Sequence, residues 1–150
     1  MPSAATCGCA PSCDPIAATT ATVTLPIAWQ RLVSDGETCP RCGSTQGAIE
    51  RAVATLTEVL RPLSIEPTLE TIALDQCTFD EAPTESNRIW IAGRPLEDWI
   101  EAQVVTSPCC SVCGDTNCRA LHVDGASYEA VPATLIVKAG LAAAATMVTA

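Results

Sequence analysis

The spacing of apolar residues changes period several times along the chain, and each change marks an element. Residues 25–33 alternate, with Ile27, Trp29 and Val33 on one face, and predict a strand. Pro26 falls at its first residues, where no ladder donor is missed. Ser34-Asp35-Gly36 reads as a turn. Ile49, Ala52, Val53, Leu56, Val59, Leu60 and Leu63 then recur at helical spacing. Thr38 suits the N-cap of that helix, Pro40 its first turn and Pro62 its stop. Residues 65–74 predict a second strand. Its alternation slips phase between Leu69 and Ile72, which suggests a bulge or a shorter strand.

Residues 76–87 read as a connection or a short helix. Residues 88–97 predict a strand, a turn at Gly93 and the start of a return strand; 98–105 either continue it or turn helical. Residues 107–118 form a cysteine-rich loop. Residues 119–123 and 126–129 flank Asp124-Gly125, a strong hairpin signal. Pro132 opens a last helix. The order is strand, helix, strand, hairpin, cysteine loop, hairpin, helix, an α/β arrangement whose first three elements should form a right-handed parallel unit. Residues 1–23 show no apolar period and read as a flexible tail, leaving 24–150 as one domain.

Composition narrows the function classes. The 150 residues hold 8 Lys+Arg against 17 Asp+Glu, a net charge of -9. That balance argues against nucleic acid and against an anionic membrane surface. The hydrophobic fraction is 48% with 3% aromatic, so the core must be aliphatic. Residues 131–150 are apolar almost throughout, but Lys138 lies near the middle. A central Lys costs about 2.5–3.5 kcal/mol on insertion, so a buried terminal helix is expected rather than a membrane span. Residues 1–21 have neither a basic start nor an apolar core of a secretory signal. The expected compartment is the reducing cytoplasm, where the ten cysteines would be thiols, metal ligands or catalytic groups.

Cys39-Pro40-Arg41-Cys42 stands where a strand feeds a helix. Helix N-termini carry unpaired N–H groups and partial positive charge, which stabilise a thiolate. Arg41 adds a cation. Cys39 is therefore the candidate nucleophile, and Cys42, one turn on, the candidate resolving thiol. The competing reading is half of a structural zinc site.

Cys109, Cys110, Cys113 and Cys118 lie within ten residues. Such dense thiols pair poorly as disulfides but can converge on zinc or another soft ion. Buried reduced cysteines and an iron–sulfur cluster are the alternatives. His122 is read as an ordinary side chain rather than a ligand. Cys7, Cys9 and Cys13 in the tail could capture a soft ion such as arsenite, mercury or copper(I). Cys77, at a predicted strand end, could pair with Cys39 or Cys42. No pattern for an organic cofactor is present: there is no Gly-rich phosphate loop and no nucleophile elbow.

Several strings carry a resemblance. They are Trp29-Gln30-Arg31-Leu32-Val33, Glu37-Thr38-Cys39-Pro40-Arg41-Cys42-Gly43-Ser44-Thr45, Ser86-Asn87-Arg88-Ile89-Trp90-Ile91 with Leu96-Glu97, and Ser107-Pro108-Cys109-Cys110-Ser111-Val112-Cys113-Gly114. From Leu25 to the C-terminus the chain resembles the family of domains of unknown function numbered 2703. More distantly, the order of elements resembles a thioredoxin or glutaredoxin domain, in which a C-x2-C opens the first helix. That resemblance implies a thioredoxin-like core, with the cysteine loop as an insertion, and the roles above for Cys39 and Cys42. It also implies a cis-proline just before the third strand; here Ser86-Asn87 stand there, leaving room for an ion. The expected function is thiol–disulfide exchange or heavy-metal handling through Cys39 and Cys42, with a soft-ion site in 109–118. The alternatives are a non-catalytic soft-metal binding or delivery protein and a domain that uses zinc only for stability. The expected partner is a soft metal or metalloid ion, or a thiol or disulfide protein.

Overall fold

The computed structural model describes residues 22–33, 40–108 and 117–149. In chain order these form β1 (Val23–Leu32), α1 (Pro40–Leu60), β2 (Ile65–Leu74), α2 (Gln76–Glu81), β3 (Arg88–Ile91), β4 (Arg94–Pro95), α3 (Leu96–Ile100), β5 (Gln103–Pro108), β6 (Asn117–Val123), β7 (Ala126–Tyr128) and α4 (Ala133–Thr149). Two sheets and four helices among the described residues make a mixed α/β protein. The tail expected over 1–23, with Cys7, Cys9 and Cys13, lies outside the described residues apart from its last two positions.

The first sheet has the order β2-β1-β3-β4. β1 and β2 are parallel and joined through α1, while β3 pairs antiparallel with β1 and β4 with β3. Leu25, Ile27 and Trp29 alternate inward from β1, joined by Ile89 and Ile91 of β3. At the end of β1 the alternation breaks. Leu32 is buried, and the expected inward Val33 lies past the strand. β2 spans the expected residues but carries no bulge, since all ten of its residues pair in register with β1. The phase slip at Leu69 reflects exposure instead: β2 is an edge strand, and between Pro67 and Leu74 none of its residues is buried.

α1 lays Ile49, Ala52, Leu56 and Leu60 into the core. Full burial contributes about 1.5–3 kcal/mol for each large aliphatic side chain. Intrinsic propensity differs by only tenths, so packing decides where α1 lies. Val59 and Leu63, counted in the expected stripe, are exposed. The helix gives way to a 3-10 turn at Arg61–Leu63 containing Pro62, and Ser64 closes it in a left-handed conformation. α4 crosses α1 with Ile136, Ala139, Ala143 and Ala144 buried. Among the described residues no helix is long and apolar enough to cross a membrane.

Two expectations are corrected. Leu96 and Glu97 do not extend a return strand; β4 stops at Pro95 and α3 begins. Leu96 and Ile100, about one helical turn apart, are the two residues that α3 buries. The cysteine-rich loop is also shorter than expected. Ser107 and Pro108 end β5, Asn117 and Cys118 begin β6, and these four residues pair across the strands. A second sheet of order β5-β6-β7 results. Its β6–β7 turn is the expected Asp124-Gly125, both at positive φ.

Candidate thiol site

The site forms where β1 ends, α1 begins and the chain enters β3. Pro40 is the first residue of α1, so Arg41 and Cys42 lie in its first turn. Cys42 carries a thiol and is 2% exposed. Its Sγ lies 3.7 Å from Ser86 Oγ. Ser86 is buried as well, and its oxygen accepts a hydrogen bond from the backbone N–H of Leu32 at 3.2 Å. A residue just before β3 therefore bridges the last residue of β1 to the first turn of α1.

Arg41 is the second anchor. Its side chain is 8% exposed, and Nη2 donates to the carbonyl of Pro108 at 2.8 Å. The same nitrogen stands 3.4 Å from a Glu129 carboxylate oxygen. Glu129 is largely exposed, so this ion pair is screened and contributes little alone. The bond to Pro108 ties α1 to the end of β5, the last described residue before 109–116. Nearby, Thr45 Oγ1 accepts the backbone N–H of Val131 at 3.1 Å. Asn87 accepts from Trp29 Nε1 at 3.1 Å and donates to the carbonyl of Glu129 at 3.3 Å. Arg31, on the far side, donates to Gln46 at 2.7 Å and stacks over Trp29.

The expected site residues fall into three groups. Cys42 lies at the junction just described. Cys118 is buried and engaged in a disulfide, and its partner is neither Cys42 nor Cys77, which are both thiols. Cys39, Cys109, Cys110 and Cys113, like Cys7, Cys9 and Cys13, lie outside the described residues. Among the described residues no group of three or more His, Cys, Asp or Glu is placed to hold a metal ion.

The other two candidates have plain roles. Cys77 sits in α2 rather than at a strand end; it is exposed and pairs with neither Cys39 nor Cys42. His122 Nδ1 lies 2.9 Å from Ser127 Oγ across the β6–β7 pair, an ordinary surface contact.

Sequence reasoning missed Ser86, Asn87 and Thr45 as parts of this junction. A signal existed for Thr45, a polar residue on the apolar side of α1 that is fully buried. Ser86 and Asn87 were visible only as the pair preceding β3.

A mixed α/β protein with a buried thiol at the opening of its first long helix is thus the class that the fold and site define. The chain belongs to the DUF2703 family, described as a domain of unknown function, whose sequence model matches residues 25–140. An uncharacterized protein of Archaeoglobus fulgidus is 50% identical over 112 residues, covering 75% of this chain and 82% of that protein. No solved structure matches the chain.

Proposed function

We propose that the protein is a thioredoxin-like thiol protein that works by thiol–disulfide exchange through Cys39 and Cys42. The observation that carries this reading is the contact of Arg41 with Pro108. It joins the first turn of α1, which holds Cys42, to Pro108, the last described residue before the second cysteine-rich segment. The sheet order supports the thioredoxin-like part. A central β1 is parallel to β2 through α1 and antiparallel to β3, and the C-x2-C ends in the first turn of α1. Cys39 attacks a partner disulfide, the partner's first sulfur leaves as a thiolate, and Cys42 displaces the second. The pair ends oxidised and the partner reduced by two electrons.

A second reading draws on the same contact. In it, Cys39, Cys42 and the 109–113 cysteines would bind zinc, copper(I), arsenite or mercury without turnover.

One experiment separates the two. Reduction of a small aromatic disulfide under a dithiol reductant is measured for the wild type and Cys39→Ser, with native mass spectrometry of both. Turnover that disappears in Cys39→Ser supports exchange. No turnover above background, with a stoichiometric metal that survives purification, supports binding instead. Neither turnover nor metal removes both.

A further inference from the structure

The outer side of α1 and α4 is apolar where a solvated helix pair would be charged. Val59 of α1 and Leu141 and Val148 of α4 are each at least 41% exposed. Leu141 and Val148 lie two turns apart on one side of α4, with half-buried Val137 one turn before them. Thr55, Thr134, Val137, Lys138 and Leu141 line a groove of about 440 Å³ between the two helices. Val59 lies one turn beyond Thr55 on the same side of α1. Contiguous apolar surface of this kind marks a contact site, whereas a single exposed leucine does not.

Two charges on this face say what covers it. Lys138 is the single charged residue of α4, and it stands exposed at the groove. Glu58, one turn past Thr55 on α1, is exposed as well. Among the described residues neither has an ion-pair partner. One face thus carries an unpaired cation on one helix and an unpaired anion on the other, the pattern of a self-complementary surface. Val131, which leads into α4, bonds Thr45 of α1, and Gly140 faces Leu56, so the helices run side by side in the same sense. A two-fold axis through the groove, level with Gly140 and Leu56, lays α4 of each copy antiparallel on α1 of the other. Lys138 then falls opposite Glu58 of the other copy, and Val137 opposite its Val59, each contact occurring twice.

We infer that this face is a dimer interface, covered by α1 and α4 of a second copy of the chain. The 17 residues of α4 span about 26 Å, and two helices side by side about 20 Å. The two copies together therefore bury on the order of 1,000 Å², the low end for a specific dimer. That size and the apolar centre predict a dissociation constant on the order of 10 μM.

The test is sedimentation of the full-length chain from about 1 μM to about 500 μM, a range that brackets this constant. It is run on the fraction that a non-reducing gel shows free of disulfides between chains. The wild type should pass from monomer to dimer across the range. Leu141→Glu should stay monomeric throughout, with its helix content unchanged by circular dichroism. Lys138→Glu and Glu58→Lys should each weaken the dimer about tenfold, because each reversal sets like charges opposite one another twice. The double variant Lys138→Glu/Glu58→Lys restores opposite signs and should associate like the wild type. A wild type that stays monomeric at every concentration overturns the proposal. So does a dimer untouched by Leu141→Glu, which would lie on another face, and so does a double variant as weak as the single ones. Should Leu141→Glu fail to fold, the charge variants decide, since both of those side chains are exposed.

Discussion

Asn87 holds Trp29 across 58 positions of sequence. Its side-chain oxygen accepts from Trp29 Nε1 at 3.1 Å, and its own backbone sits at φ 62. Both residues are buried. Asparagine answers two demands here, because it tolerates the left-handed region and supplies the acceptor. Asn87→Ala leaves a buried indole N–H unpaired, about 1–3 kcal/mol, and adds left-handed strain. We expect a loss of about 2–4 kcal/mol in urea unfolding. Asn87→Gly removes the strain and should lose less. Equal losses in the two variants would show that backbone strain plays no part.

Gly140 fixes how closely α4 crosses α1. A Cβ at this position would stand 2.6 Å from Leu56 Cδ1 and 3.0 Å from Cδ2. Leu56 is fully buried, so its methyls have little room to retreat. Gly140→Ala should therefore destabilise by about 1 kcal/mol: overpacking costs about 1–3 and helix propensity returns about 1. In a Leu56→Ala background the clash is gone and only propensity remains, so the same substitution should become stabilising. A double-mutant cycle without that change of sign would show that the crossing relaxes more freely than the packing implies.

These two contacts show where sequence reading succeeds and where it stops. The limits of β2 were legible because Ile65 and Leu74 are core residues bounded by Ser64 and Asp75. The Asp124-Gly125 hairpin was legible because its turn chemistry is local. α3 was not, since its five residues offer a single i, i+4 pair, Leu96 and Ile100, too short for a period. β5 was hidden because it is an edge strand with Val104 exposed, so its alternation carries little contrast. At the site, Cys42 could be singled out by its motif, whereas its contact with Ser86 spans 44 positions and leaves no local trace.

A buried ion pair links the second sheet to α3. Arg119 of β6 pairs with Glu97 of α3, both side chains nearly enclosed, and also donates to the carbonyl of Thr84. Removing one partner strands a charge out of water and should cost about 3–5 kcal/mol, for Glu97→Leu or Arg119→Met alone. The double variant Glu97→Leu/Arg119→Met buries no charge and should recover most of that loss. If its loss equalled the sum of the single losses, the pair would be uncoupled.

Asp75 makes the start of α2 depend on pH. Its carboxylate caps the helix by accepting the Thr78 backbone N–H at 2.7 Å. That bond, with a smaller contribution from the Thr78 hydroxyl, holds its pKa below the ordinary 3.8, against a slight opposing effect of desolvation. The charged form is the one favoured by folding. The stabilisation is therefore fully present above the unfolded value of 3.8 and is lost as pH falls through the lower folded value. Unfolding midpoints in urea, measured from neutral pH down into the acid range, should show the wild type ahead of Asp75→Ala near neutrality and the gap closing at the acid end. Asp75→Asn keeps an acceptor at the N-cap and removes the titrating group, so its gap over Asp75→Ala should stay level with pH. A wild-type advantage that instead grew on acidification would reverse the sign and exclude the carboxylate as the cap.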